Sequence, residues 1–125
     1  METDELLFFN QKPQALPIYH RLKQQLVQRI PGMTVRVSKT QIGFFNRRGF
    51  ACVSFTPCRK AKDRPPVWLT VTFGLAEQTC SPRIDAATQP YPGRWTHHVM
   101  VGSAEELDDE LLGWLQEAAV FSAEK

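Results

Sequence analysis

Leu16, Tyr19, Leu22, Leu26 and Ile30 recur at spacings of three and four, which places them on one stripe of a helix. Arg21, Lys23, Gln24, Gln25 and Gln28 fill the other side. Pro13 suits the first turn, where a missing N–H is no loss, Pro17 is early enough to be tolerated, and Pro31-Gly32 stops the helix. A second stripe near the C-terminus runs through Leu107, Leu111, Trp114 or Leu115, Ala118 and Phe121. Ser103 and Glu106 read as a capping box for it, and acids at 105, 106, 108, 109 and 110 suit the positive end of a helix dipole. Residues 4–9 read as one or two helical turns or an extended lead-in.

Between the helices the period changes to two. Residues 34–39, 41–46, 50–56 and 67–73 predict strands, and 95–101 look like a fifth. Asn46-Arg47-Arg48-Gly49 reads as a hairpin turn, with Gly and Asn supplying positive φ. Residues 57–66, with three prolines and four basic groups, read as an exposed loop. Residues 74–94 are the hardest stretch, with a short helical turn expected near 82–87. Strands joined by short turns pair antiparallel. The expected fold class is therefore α+β: a two-layer domain with an antiparallel four- or five-stranded sheet and both terminal helices on one face. Leu22, Leu26, Val37, Val71, Leu111 and Leu115 are the expected core.

The sheet's other face should then carry Arg36, Ser38, Trp68, Thr70, Thr72, Thr96, His98 and Met100. Such a mix of threonine, aromatic and cation suits a planar ligand with an anionic group. The competing expectation is that residues 74–94 fold back and cover it.

At 125 residues the chain is expected to form a single domain, 1–125. Its 42% hydrophobic and 22% charged residues are those of a globular protein, and no apolar run approaches a membrane span. The acidic opening Met-Glu-Thr-Asp-Glu and an odd count of three cysteines with no CxxC pair point to the cytoplasm and reduced thiols.

The net charge of +2 hides an asymmetry. Residues 36–64 hold eight basic groups against Asp63 alone, whereas residues 103–125 hold seven acids and one lysine. The basic block, with Arg36, Arg47, Arg48, Arg59 and Lys60 as its patch, is a footprint for a phosphate-bearing or acidic partner. It reads equally as solvated strand edges and a loop tip kept charged against edge pairing.

Motifs for catalysis are missing from the sequence: there is no P-loop, G-x-G-x-x-G, G-x-S-x-G or H-E-x-x-H. His97 and His98 are strand neighbours and point to opposite faces, so at most one serves a given site; His97 also reads as a packed strand residue. His98, Cys58 and Cys80 lack diagnostic spacing for zinc, so neither a metal nor a cofactor is expected. Cys52 reads as a small core residue. Cys58, beside Arg59 and Lys60, is the candidate reactive thiol through a lowered pKa, but no base partner can be named.

The stretches FNQKPQALP (9–17), VRVSKTQIGFFNRRGFACV (35–53), SPRI (81–84) and GRWTHHVMVGSAEELDDELLGWL (93–115) resemble an uncharacterised bacterial family. It is a domain-of-unknown-function family labelled as related to predicted transport proteins, and its fold is similar to small α+β YdhG-like modules. The resemblance implies no activity. It implies that a shared site would draw on Lys39, Thr40, Arg83, Arg94 and His97, the polar residues inside the matching motifs.

Three functions follow as expectations. The first is a non-enzymatic binding module whose basic block engages nucleic acid or an acidic protein. The second is a small-molecule site for a carboxylate or phosphate, with Lys39, Arg83, Arg94 and His97 converging on one pocket. The third is a self-associating interaction domain whose basic and acidic regions meet between subunits.

Overall fold

The computed structural model describes residues 3–124. Helix α1 (Thr3–Phe8) leads through two short 3-10 turns into α2 (Leu16–Arg29). Tyr19, Leu22 and Leu26 of the expected stripe are fully buried, and Gly32 at φ 80° completes the reversal after Pro31. Glu5 of α1 is buried between Tyr19, whose hydroxyl donates to it, and Lys23, whose Nζ lies 2.8 Å from both carboxylate oxygens. That contact ties the lead-in to α2.

Six strands follow rather than four or five: β1 (Thr34–Val37), β2 (Gln41–Asn46), β3 (Arg48–Ser54), β4 (Leu69–Leu75), β5 (Ala86–Tyr91) and β6 (Arg94–Val101). All neighbours are antiparallel, in the order β1-β2-β3-β4-β6-β5. The unexpected strand is β5, AATQPY, in place of the helical turn near 82–87. It is an edge strand, which is why it tolerates Pro90 and shows no apolar alternation. In the β2–β3 hairpin Arg47, not Gly or Asn, takes the left-handed position at φ 63°. The pairing slips between Phe44 and Phe45, so Phe45 faces Gly49.

Helix α3 (Asp109–Ala123) starts six residues after Ser103. Residues 104–106 form a 3-10 turn instead, and Asp108 caps the helix by accepting from the Leu111 N–H at 3.1 Å. Glu106 Oε2 accepts from the Gly102 N–H, so the box motif closes a turn rather than a helix.

The core lies between the helices and one face of the sheet, with Ile42, Phe44, Val53, Val71, Phe73, Val99 and Val101 beneath Leu22, Leu26, Leu111 and Leu115. Of the six expected core residues only Val37, on edge strand β1, is merely half-buried.

Candidate functional site

Register fixes the second face. Arg36, Gly43, Cys52, Thr72 and His98 lie side by side across β1, β2, β3, β4 and β6, and Gln41, Ser54, Thr70 and Met100 form the next such row. The two rows have opposite fates. The Ser54–Thr70–Met100 end is buried. Segment 55–66 folds across it: Thr70 Oγ1 donates to the Thr56 carbonyl at 2.8 Å, and Arg59 Nη2 donates to the Met100 carbonyl. Asp85 seals the end by accepting from Arg59 Nε at 2.7 Å and from the Met100 N–H at 2.8 Å. The cover thus comes from the basic loop expected to be exposed, with Asp85 as the contribution of residues 74–94.

The other end remains open. A depression of about 210 Å³ is lined there by Gly43, Phe45, Cys52, Thr72, Gly74 and Arg94, among others. Glycines shape it. The ring of Phe45 lies over Gly43 and Gly49, where a Cβ would stand 2.9 and 3.0 Å from ring atoms. The Arg36 guanidinium sits over that ring, 4.4 Å from its centroid, a cation–π contact. Gly74 makes the same kind of room for Arg94: a Cβ there would be 2.6 Å from Cζ and Nη2 and 2.9 Å from Nη1. A point nearly equidistant from those three atoms faces the guanidinium plane, so Arg94 presents the face of the group, and not an N–H, to the glycine. Thr72 Oγ1 is 2.8 Å from His98 Nδ1. Burial holds the His98 pKa below its ordinary value and pushes the Cys52 thiol up. No carboxylate of the described residues lines the depression. Among the described residues no ion pair engages Arg36 or Arg94.

The expected site residues do not converge. Lys39 and Thr40 are exposed in the β1–β2 turn. Arg83 is held at the start of α3, bonding Asp108 at 2.5 Å, Glu110 at 3.2 Å and the Glu106 carbonyl. His97 is fully buried on the helix side, stacked on Phe73 and accepting at Nε2 from the Thr79 N–H. Only Arg94 reaches the depression.

The basic patch is divided too. Arg36 is at the depression, Arg47 donates to the Ala123 carbonyl, and Arg59 is paired with Asp85. Arg48 and Lys60 are exposed, at the hairpin tip and on the covering segment. The acids near the start of α3 meet Arg83 and Arg29 within the chain, not the 36–64 block.

Other expectations are corrected. Trp68 is buried at the sheet's end, against Phe55 and beneath the Lys12 ammonium, and not on the open face. The Cys58 pKa is raised, first by burial and then by Asp85, which outweigh Arg59. Cys52 is half-buried at the depression rather than in the core. Thr72 lies on the second face as expected, whereas Gly43 and Gly74 are lining residues that the sequence reading did not name; their signal is a glycine inside a strand, which marks a place where something lies close to the backbone.

A family model, Domain of unknown function (DUF5655), matches residues 7–122. The chain belongs to this family. No curated protein and no solved structure matches it. No helix among the described residues of this DUF5655 chain is long and apolar enough to cross a membrane, and no group of three or more histidine, cysteine or acidic side chains among them is placed to hold a metal ion.

Proposed function

We propose that the chain is a non-enzymatic, cytoplasmic binding module for a small anionic ligand, which it takes at the open end of the sheet's second face. One observation carries this reading: Arg94, with no ion-pair partner among the described residues, lines a depression to which none of those residues brings a carboxylate, and Arg36, likewise unpaired among them, lies over its Phe45 wall. Guanidinium groups answered by carboxylates, such as Arg59 and Arg83, already have their charge neutralised; no described residue does this for Arg94 or Arg36. A small ligand is favoured over nucleic acid or an acidic protein because the depression is compact and the basic block is split between the two sides of the sheet. The reading takes nothing from a transport-related label or a YdhG-like kinship.

Chemical-shift mapping at low salt with acetate, inorganic phosphate, a single-stranded oligonucleotide and an acidic peptide tests it. The expected result is saturable shifts at Arg94, Thr72 and Gly74 for a small anion, weakening as salt rises. Shifts confined to Arg47, Arg48 and Lys60 with the oligonucleotide would restore the polyanion reading. Silence from every anion would remove both.

A further inference from the structure

We infer that the ligand of the open depression is a small planar carboxylate, anchored in plane by Arg94 and read by the Thr72 hydroxyl; this rests on the anion-binding reading above. The orientation of Arg94 carries the argument. Its guanidinium is pressed flat on the space left by Gly74. An N–H fork whose face is taken up by the glycine accepts a carboxylate edge-on, in the plane of the guanidinium. A flat body coplanar with that carboxylate stays in the same plane beside Cys52 and Thr72, while a tetrahedral headgroup sends oxygens out of it. The apolar wall is Phe45, which is half-exposed and has the Arg36 charge over its ring. The volume of about 210 Å³ accommodates a body of one ring.

Thr72 supplies the second contact. A carboxylate only accepts hydrogen bonds, so Thr72 must donate to it. That requires His98 Nδ1 to carry hydrogen and donate to Thr72 Oγ1, across the 2.8 Å the two atoms already keep. The resulting chain runs from His98 Nδ1–H to Thr72 Oγ1–H to the ligand oxygen. In the opposite arrangement Thr72 donates to His98 and turns a lone pair toward the ligand. A bound carboxylate therefore selects the Nδ1-protonated form of His98. His98 and Thr72 act on the ligand as positioning groups, with no bond made or broken.

Benzoate and its neutral isostere benzamide provide the probe pair. Titration of the full chain by calorimetry and chemical-shift mapping should show benzoate binding at Arg94, Thr72 and Gly74, with benzamide at least about tenfold weaker. Gly74→Ala alters no charge yet drives a methyl group into the Arg94 guanidinium, the far end of a flexible side chain that can swing away. It should weaken benzoate about as much as Arg94→Gln does, and each variant's thermal midpoint shows that it is folded. Nitrogen-15 shifts of His98 should move toward the Nδ1-protonated form when benzoate is added to wild type. Equal binding of benzoate and benzamide, or benzoate binding untouched by Gly74→Ala in a folded protein, overturns the inference. If phosphate binds at Arg94 and benzoate does not, the ligand class is wrong while the anion-binding reading stands. If neither binds, both fall.

Discussion

The two ends of the sheet's second face are built from similar side chains and finish differently. At one end Ser54, Thr70 and Met100 lie under segment 55–66, and Asp85 answers the arginine that arrives with it. At the other, Cys52, Thr72 and His98 are only half-buried, and Arg94 meets a glycine instead of an acid. The difference teaches how to read an arginine in a basic chain. Arg59 is structural because a half-buried carboxylate stands 2.7 Å away, whereas no carboxylate among the described residues answers Arg94.

Four experiments break or sharpen this contrast. The most damaging removes the support both ends share. Leu115 is fully buried under the sheet, so Leu115→Ala is expected to lower stability by about 2–5 kcal/mol in chemical denaturation.

Next comes the contrast itself. Asp85→Ala strands the Arg59 guanidinium and the Met100 N–H, for a loss of about 1–3 kcal/mol. Arg94→Ala strands nothing, and its effect should stay within about 0.5 kcal/mol. Equal losses from the two variants in parallel melts would erase the distinction.

The third concerns pH. Burial holds both His97 and His98 below the ordinary 6.5. As pH falls through 6.5 the unfolded chain takes up protons first, so stability is fully present above that value and declines below it until the folded-state pKa values are passed. Denaturation midpoints between pH 8 and pH 5 should fall accordingly. His97→Gln should flatten part of that slope and His98→Gln the rest, which assigns the sensitivity to one face or the other.

The smallest effect is expected at the hairpin tip. Arg47 holds φ 63°, a conformation glycine adopts without strain, so Arg47→Gly should gain from a few tenths to about 1 kcal/mol. Anion binding at Arg94 should not change with it.

Much of the fold was legible because burial on one side writes a period into the chain. The stripe through Leu22 and Leu26 and the alternation around Val71 placed α2, β4 and the core side of the sheet. The period fails where burial does. Edge strand β5 is mostly exposed, so AATQPY carries no alternation and reads as a loop. The start of α3 was misplaced because Ser103 and Glu106 have capping chemistry but close a 3-10 turn; Asp108, five residues on, does the capping. The site was less legible still. Charge density drew attention to residues 36–64, yet density does not reveal which cation meets an acid far along the chain: Arg59 finds Asp85, and Arg83 finds Asp108. Arg94 was singled out only through resemblance. Its partner is a glycine twenty residues earlier, a contact created by the pairing of β4 with β6.

The position of β6 between β4 and β5 has a consequence for how the molecule is made. Residues up to the end of β4 can form a four-stranded meander as they leave the ribosome, each strand joining the one just synthesised. Strand β5 emerges next with nothing to join, because its only neighbour is β6. That edge waits until residue 101 is available, and Arg94 settles onto Gly74 only when the returning strand docks. The depression beside Arg94 is among the last parts of the molecule to exist during biosynthesis.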